Sequence, residues 1–103
     1  MKKLLKNYLE ENYQFDKVIS ISDPIIGFLS DSYQIKSKSG QYFLKSYRQK
    51  PVDKIDFIIK SMQFFADKKI PVILPIKTKN NGYKFAVDDQ YFILFPFISD
   101  LWK

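Results

Sequence analysis

Apolar residues along this chain recur at helical spacing, then alternate, then return to helical spacing and alternate again. Leu4, Leu5, Tyr8 and Leu9 predict a short amphipathic helix over Lys2–Asn12, whose apolar stripe needs the following sheet as its partner. Residues 17–21, with Val18, Ile19 and Ile21, have strand character. Pro24 holds Asp23 extended or turned, and Ile25 and Ile26 lead into Gly27. Over 32–38 the alternation is clean: Tyr33, Ile35 and Ser37 point one way, Gln34, Lys36 and Lys38 the other, so this strand has one wet face. Ser39-Gly40 predicts a tight hairpin turn. The next strand, 41–47, sets Tyr42 and Leu44 on one face and Phe43, Lys45 and Tyr47 on the other.

Pro51 and Asp53 mark a helix start. The helix runs to Lys68 with Ile55, Ile58, Ile59, Met62, Phe65 and Ala66 as one stripe, and Phe57 and Phe64 on the opposite side. Lys69-Ile70-Pro71 ends it. Residues 72–77 predict an edge or bulged strand because of Pro75. Asn81-Gly82 predicts a primed hairpin turn, 83–87 a further strand and Asp88-Asp89-Gln90 another turn. The run YFILFPFI over 91–98 predicts the central or most buried strand, ending at Pro96. The fold class is therefore α+β: a mostly antiparallel five- to six-stranded sheet, one long covering helix and a short N-terminal helix.

Composition narrows the chemistry. The 103 residues suit a single domain, and ten Phe, seven Tyr and one Trp allow a dense core at that size. With no Cys and no His there is no disulfide, no thiolate metal site and no imidazole base. The Asp residues are scattered outside any calcium-loop pattern, so no metal site is expected. The net charge of +6 comes from lysine, with Arg48 the one arginine, which fits a solvated surface better than a nucleic-acid interface. No apolar run reaches the roughly 18 residues of a membrane span. Lys6, Asn7, Glu10 and Glu11 interrupt the leader-like Met1 to Leu5, so a cytoplasmic protein without a membrane partner is expected.

The order and spacing of these features resemble the N-terminal, nucleotide-binding lobe of the aminoglycoside phosphotransferase and choline or homoserine kinase-like families, spore-coat kinase-like proteins included. The features are Gly27, the stretch 30–33, Gly40, Phe43-Leu44-Lys45, Ile70-Pro71-Val72 leading to Pro75-Ile76, Asn81-Gly82, and the apolar strand 91–98. The resemblance covers residues 14–100. It implies a protein-kinase-like N-lobe in which Lys45 holds the α and β phosphates of ATP. Phe43 would then roof the adenine, Gly27 and Ser30 would belong to the loop over the phosphates, and Phe95, Pro96, Phe97 and Ile98 would line the hinge. Turn conformation alone also accounts for Gly27 and Gly40, and a packed core for Phe43, Tyr47, Phe95 and Phe97.

Two departures limit what the resemblance carries. The family's long helix bears a glutamate ion-paired to the strand lysine. Ile58 falls at that place here, and the nearest acid, Asp56, is on another helix face. The family's catalytic base and metal-binding acids belong to a large C-terminal lobe that is absent from these residues, so no catalytic residue is assigned and the chain alone is not expected to be a kinase. The expectation is an isolated or truncated nucleotide-binding lobe of an ATP-dependent phosphotransferase, using ATP with magnesium in its full-length context. The alternative is a stand-alone interaction or regulatory module derived from that lobe, without nucleotide binding; a small α+β domain reaching the pattern by convergence is the third reading. Phe57, Phe64 and Trp102 are the candidate interface residues, toward the missing lobe, a partner protein or a second copy.

Overall fold

The computed structural model describes residues 2–14, 17–27, 30–47, 51–88 and 90–97. Helix α1 (Lys2–Asn12) precedes strands β1 (Val18–Ile21), β2 (Ile25–Ile26), β3 (Asp31–Ser37) and β4 (Gly40–Tyr47). Helix α2 (Val52–Asp67) follows, then β5 (Phe85–Val87) and β6 (Gln90–Pro96). The sheet runs β1-β3-β4-β6-β5, with β2 also paired to β3. Each of its ladders is antiparallel.

β1 and β2 are two pieces of one edge strand, interrupted at 22–24. Pro24 has no N–H to give the ladder, and Ser22 bridges the gap. Its N–H donates to the Gln34 carbonyl at 3.0 Å, and its Oγ accepts from the Gln34 N–H at 2.8 Å. The hydroxyl stands where a strand carbonyl would be.

The period of two in β3, β4 and β6 creates two cores, one on each sheet face. On the first face, Tyr33, Ile35, Leu44, Phe92 and Leu94 pack with Leu5, Leu9 and Tyr13 of the N-terminal segment. Phe85 is its keystone: it stacks on Phe92 at 5.1 Å and on Tyr8 at 6.1 Å, and meets Tyr13 edge-on at 5.9 Å. On the second face, Phe43, Tyr47, Ile93 and Phe95 pack beneath Ile55 and Ile59 of α2. Phe92, Ile93, Leu94 and Phe95 are all buried, so β6 is the most enclosed strand, as its unbroken apolar run predicts. The wet face of β3 is also as predicted, with Gln34 and Lys36 exposed.

α2 starts after Pro51, whose carbonyl accepts from the N–H groups of Lys54 and Ile55, and Asp53 lies in the first turn, where the helix dipole favours an acid. It ends with Lys69 at φ 61°. The Ile70 N–H then reaches back to the Phe65 carbonyl at 2.9 Å, a Schellman-type closure made without glycine.

Three local expectations are corrected. Residues 72–77 form no strand. Pro71 and Pro75 remove the donors a ladder needs, and the segment is tied to β6 by the Ile76 N–H to the Leu94 carbonyl at 2.8 Å. Ile73 joins the second core and Ile76 the first. The turn at 78–82 is not a primed hairpin. The Asn81 N–H bonds to the Thr78 carbonyl, and Asn81, at φ 63°, is the left-handed residue in place of Gly82. The β3–β4 turn sits one residue earlier than predicted: Ser37 pairs with Gly40, leaving Lys38 and Ser39 as the loop. Ser37 Oγ accepts from the N–H groups of Ser39 (3.2 Å) and Gly40 (3.1 Å) and sets that position.

Phe85→Ala removes the ring on which three other aromatics pack and is expected to cost about 3–5 kcal/mol in urea unfolding. Tyr13, Tyr33 and Tyr47 all titrate above the ordinary tyrosine value of 10.0, chiefly because burial disfavours the phenolate, with the Asp31 charge adding at Tyr33. The unfolded chain therefore loses these protons first. Stability is expected to hold below about pH 10 and to fall as pH rises beyond it, with tyrosinate absorbance and loss of structure appearing together.

Candidate functional site

The second face of the sheet continues past α2 into a strip of aromatic and polar side chains. Register alone assembles it. Lys45 on β4 sits between Ser32 of β3 and Ile93 of β6. Two residues earlier, Phe43 sits between Gln34 and Phe95. Because side chains alternate, Phe43 and Lys45 share a face with Ile93, Phe95 and Phe97. The Lys45 Nζ lies 5.8 Å from the centroid of the Phe95 ring. Phe43 and Phe97 stack at 6.2 Å with their planes 24° apart. Phe43 and Phe95 are buried; Lys45 and Phe97 are half-buried. A cation thus sits over a buried ring, beside an aromatic pair at the edge of the core.

The connection between β2 and β3 lies at the Ser46–Tyr47 end of β4. Ile26 pairs with Asp31, and Asp31 with Ser46, the neighbour of Lys45. Gly27 opens this loop, and a β-carbon there would run into the Ser30 carbonyl. The requirement for glycine is therefore close backbone approach. Phe28 and Leu29 of the predicted phosphate loop lie outside the described residues, as do Ile98 of the predicted hinge and Trp102 of the predicted interface. Of the sequence-predicted residues, Lys45, Phe43, Phe95 and Phe97 are thus brought to one sheet face, while Gly27 and Ser30 flank the β2–β3 connection beyond the Asp31–Ser46 pair, toward the opposite end of β4 from Phe97, whose N–H bonds to the Gln41 carbonyl. Phe57 and Phe64 lie on the far side of α2, 71% and 56% exposed.

Asp53 and Asp67 of α2 are exposed, and Asp56 accepts from Lys84 Nζ at 2.6 Å. Ile58, at the position of the family's glutamate, packs against the second core with Ile55 and Ile59. No group of three or more acidic, His or Cys side chains converges among the described residues.

Two features escape the sequence reading. Ser20, Ser22, Gln34 and Lys36 border a groove of about 270 Å³ next to Phe97. The wet alternation of β3 signals Gln34 and Lys36, whereas the serines depend on how the edge strand folds against β3. Asp31 is a buried acid on the opposite face, beside Tyr33 and across from Ser46. Its place at the strand start reads as a turn residue in sequence, and only the ladder encloses it.

No family model matches the chain. An uncharacterized protein of Synechocystis sp. is 29% identical over 87 residues, covering 73% of this chain and 24% of that protein. The structure of spectinomycin phosphotransferase APH(9)-Ia, in complex with ADP and spectinomycin, superposes with a TM-score of 0.71 at 24% identity. That match covers 96% of this chain and 30% of the phosphotransferase chain. The chain therefore has the kinase-like N-lobe fold, and it spans under a third of either relative's length.

Gly27→Ala is expected to displace the β2–β3 loop locally. Amide chemical shifts of residues 25–33 should move, while those of α1 and β6 and the urea midpoint stay close to wild type. Shifts spreading through the whole sheet would show a wider role for the glycine.

Proposed function

We propose that this chain is the nucleotide-binding lobe of a phosphotransferase that uses ATP with magnesium, and that catalysis requires a second lobe. The observation that supports it best is the fold likeness over nearly the whole chain combined with Lys45 in its place on β4, on one face with Phe43 and Phe95. In this reading Lys45 neutralises phosphate oxygens from a fixed strand, as a compact cation suits. Phe43 and Phe97 offer apolar ring surface to the base. Gly27 and Ser30 take the place of the family's phosphate loop, and glycine at 27 keeps its backbone close to the Ser30 carbonyl. The metal ligands, the base and the acceptor site belong to the second lobe, since phosphoryl transfer needs all of them together. A cytoplasmic location, where ATP is available, fits this role.

A second reading has one specific observation in its favour. Phe57 and Phe64 stand exposed on the outer side of α2, as in a module that binds a partner through that helix. Capture of a discrete complex that neither ATP nor Lys45→Ala affects would favour it.

Calorimetric titration with ATP and magnesium tests the main reading. Lys45→Ala should weaken binding about tenfold or more, the scale of a lost hydrogen bond to a charged group. Equal heats for wild type and variant remove the lysine from the site.

A further inference from the structure

The β1–β3 ladder is irregular where β3–β4 and β4–β6 are regular. Its register shifts between Val18 and Ser20, which leaves Ile19 as the extra residue of a bulge. A bulge re-aims a side chain. Val18 and Ile21 turn to the first core, while Ile19 is 60% exposed. Ile19 borders a groove of about 200 Å³ between β1 and α1, lined by residues 18–21 of the strand and by Lys2, Lys3 and Lys6 of the helix. Lysine stems cover apolar surface in such a groove while their ammonium groups stay in water. Two nearby acids are already engaged. Glu10 Oε2 accepts from the Val18 N–H at 2.9 Å, and Asp23 pairs with Lys2 at 2.5 Å. Among the described residues neither Lys3 nor Lys6 has an ion pair.

We infer that the groove between α1 and β1 docks an acidic peptide segment, which sets one apolar side chain against Ile19 and its carboxylates on Lys3 and Lys6. The inference is independent of the nucleotide-lobe reading, since β3 separates β1 from the strand of Lys45. Charge and shape choose this occupant. An apolar floor with cationic walls complements an apolar residue flanked by acids. Burial of that residue supplies affinity, and the charge pairs supply orientation and a faster encounter. A second copy of the chain would bring lysines against lysines. An added strand would miss a donor, because the Val18 N–H is held by Glu10. The segment is therefore recognised through its side chains. An anionic bilayer meets a broad apolar face rather than a recess the size of a side chain.

The test titrates the whole 103-residue chain with the capped pentapeptides EELEE, EESEE and KKLKK and follows its amide chemical shifts. EELEE should saturate shifts at residues 3–6 and 18–21. EESEE, which keeps the charge and loses the apolar side chain, should bind about fivefold or more weakly, and KKLKK should not bind. Ile19→Ser should bring EELEE to the affinity of EESEE and leave EESEE itself unchanged, a coupling that general charge attraction does not produce. Because Ile19 is exposed, the urea midpoint of this variant should stay close to wild type. Lys3→Gln combined with Lys6→Gln should weaken EELEE about fivefold or more and flatten its dependence on salt. Equal affinity for EELEE and EESEE, shifts centred on other residues, or EELEE binding that survives Ile19→Ser overturns the inference. So do phosphatidylglycerol vesicles that engage residues 18–21 where EELEE does not.

Discussion

The pairing of β4 with β6 is the contact on which the other elements depend. Six residue pairs, from Tyr42–Pro96 to Tyr47–Tyr91, join two strands that are apolar on both faces over most of their length. Alternation sends Leu44, Phe92 and Leu94 to one side and Phe43, Ile93 and Phe95 to the other. A shift of one residue in either strand would exchange the two faces and strand both helices. The same register sets Lys45 opposite Ile93 and brings Phe95 within reach of it, so folding and site assembly rest on one constraint.

The helices divide the work. α1 and Tyr13 close the first face through the Tyr8–Phe85–Phe92 stack. α2 closes only part of the second, since Ile55 and Ile59 reach Tyr47 and Ile93, while Gln34 and Lys36 remain exposed. Beside that uncovered remainder lie Lys45, Phe95 and the Phe43–Phe97 pair. Incomplete coverage of that sheet face leaves a polar-edged surface. The kinase-like N-lobe fold accounts for the arrangement.

Much of this was legible in the sequence. The alternation of 32–38 and 41–47 shows which residues share a face, because a strand has only two sides. The helical stripe at Ile55, Ile58, Ile59 and Met62 marks the buried side of α2 and Phe57 and Phe64 its outer side, whereas Phe65, read into the same stripe with Ala66, is 43% exposed near the helix end. The two misplaced turns share one cause. At 37–40 and 78–82 the hydroxyls of Ser37 and Thr78 accept backbone N–H groups and choose the turn, a competition that the neighbouring glycines do not reveal. At 72–77 the apolar run resembles a strand, but Pro75 within it and Pro71 before it leave too few donors to form a ladder.

Lys45 shows where the two kinds of information part. The sequence by itself determined that this lysine shares a strand face with Phe43 and Tyr47, since that follows from a period of two. It also determined that no α2 acid lies in the family's place, since Ile58 stands there. Only the tertiary structure decided what surrounds the cation, because Phe95 is 50 positions away and meets it through the β4–β6 ladder. Likewise Asp56 could be read as an acid off the expected face, but its partner Lys84 is 28 residues distant and is reached only once α2 lies across the sheet. Local periodicity fixes the direction a side chain takes from its own strand or helix; what it meets there depends on packing between distant segments.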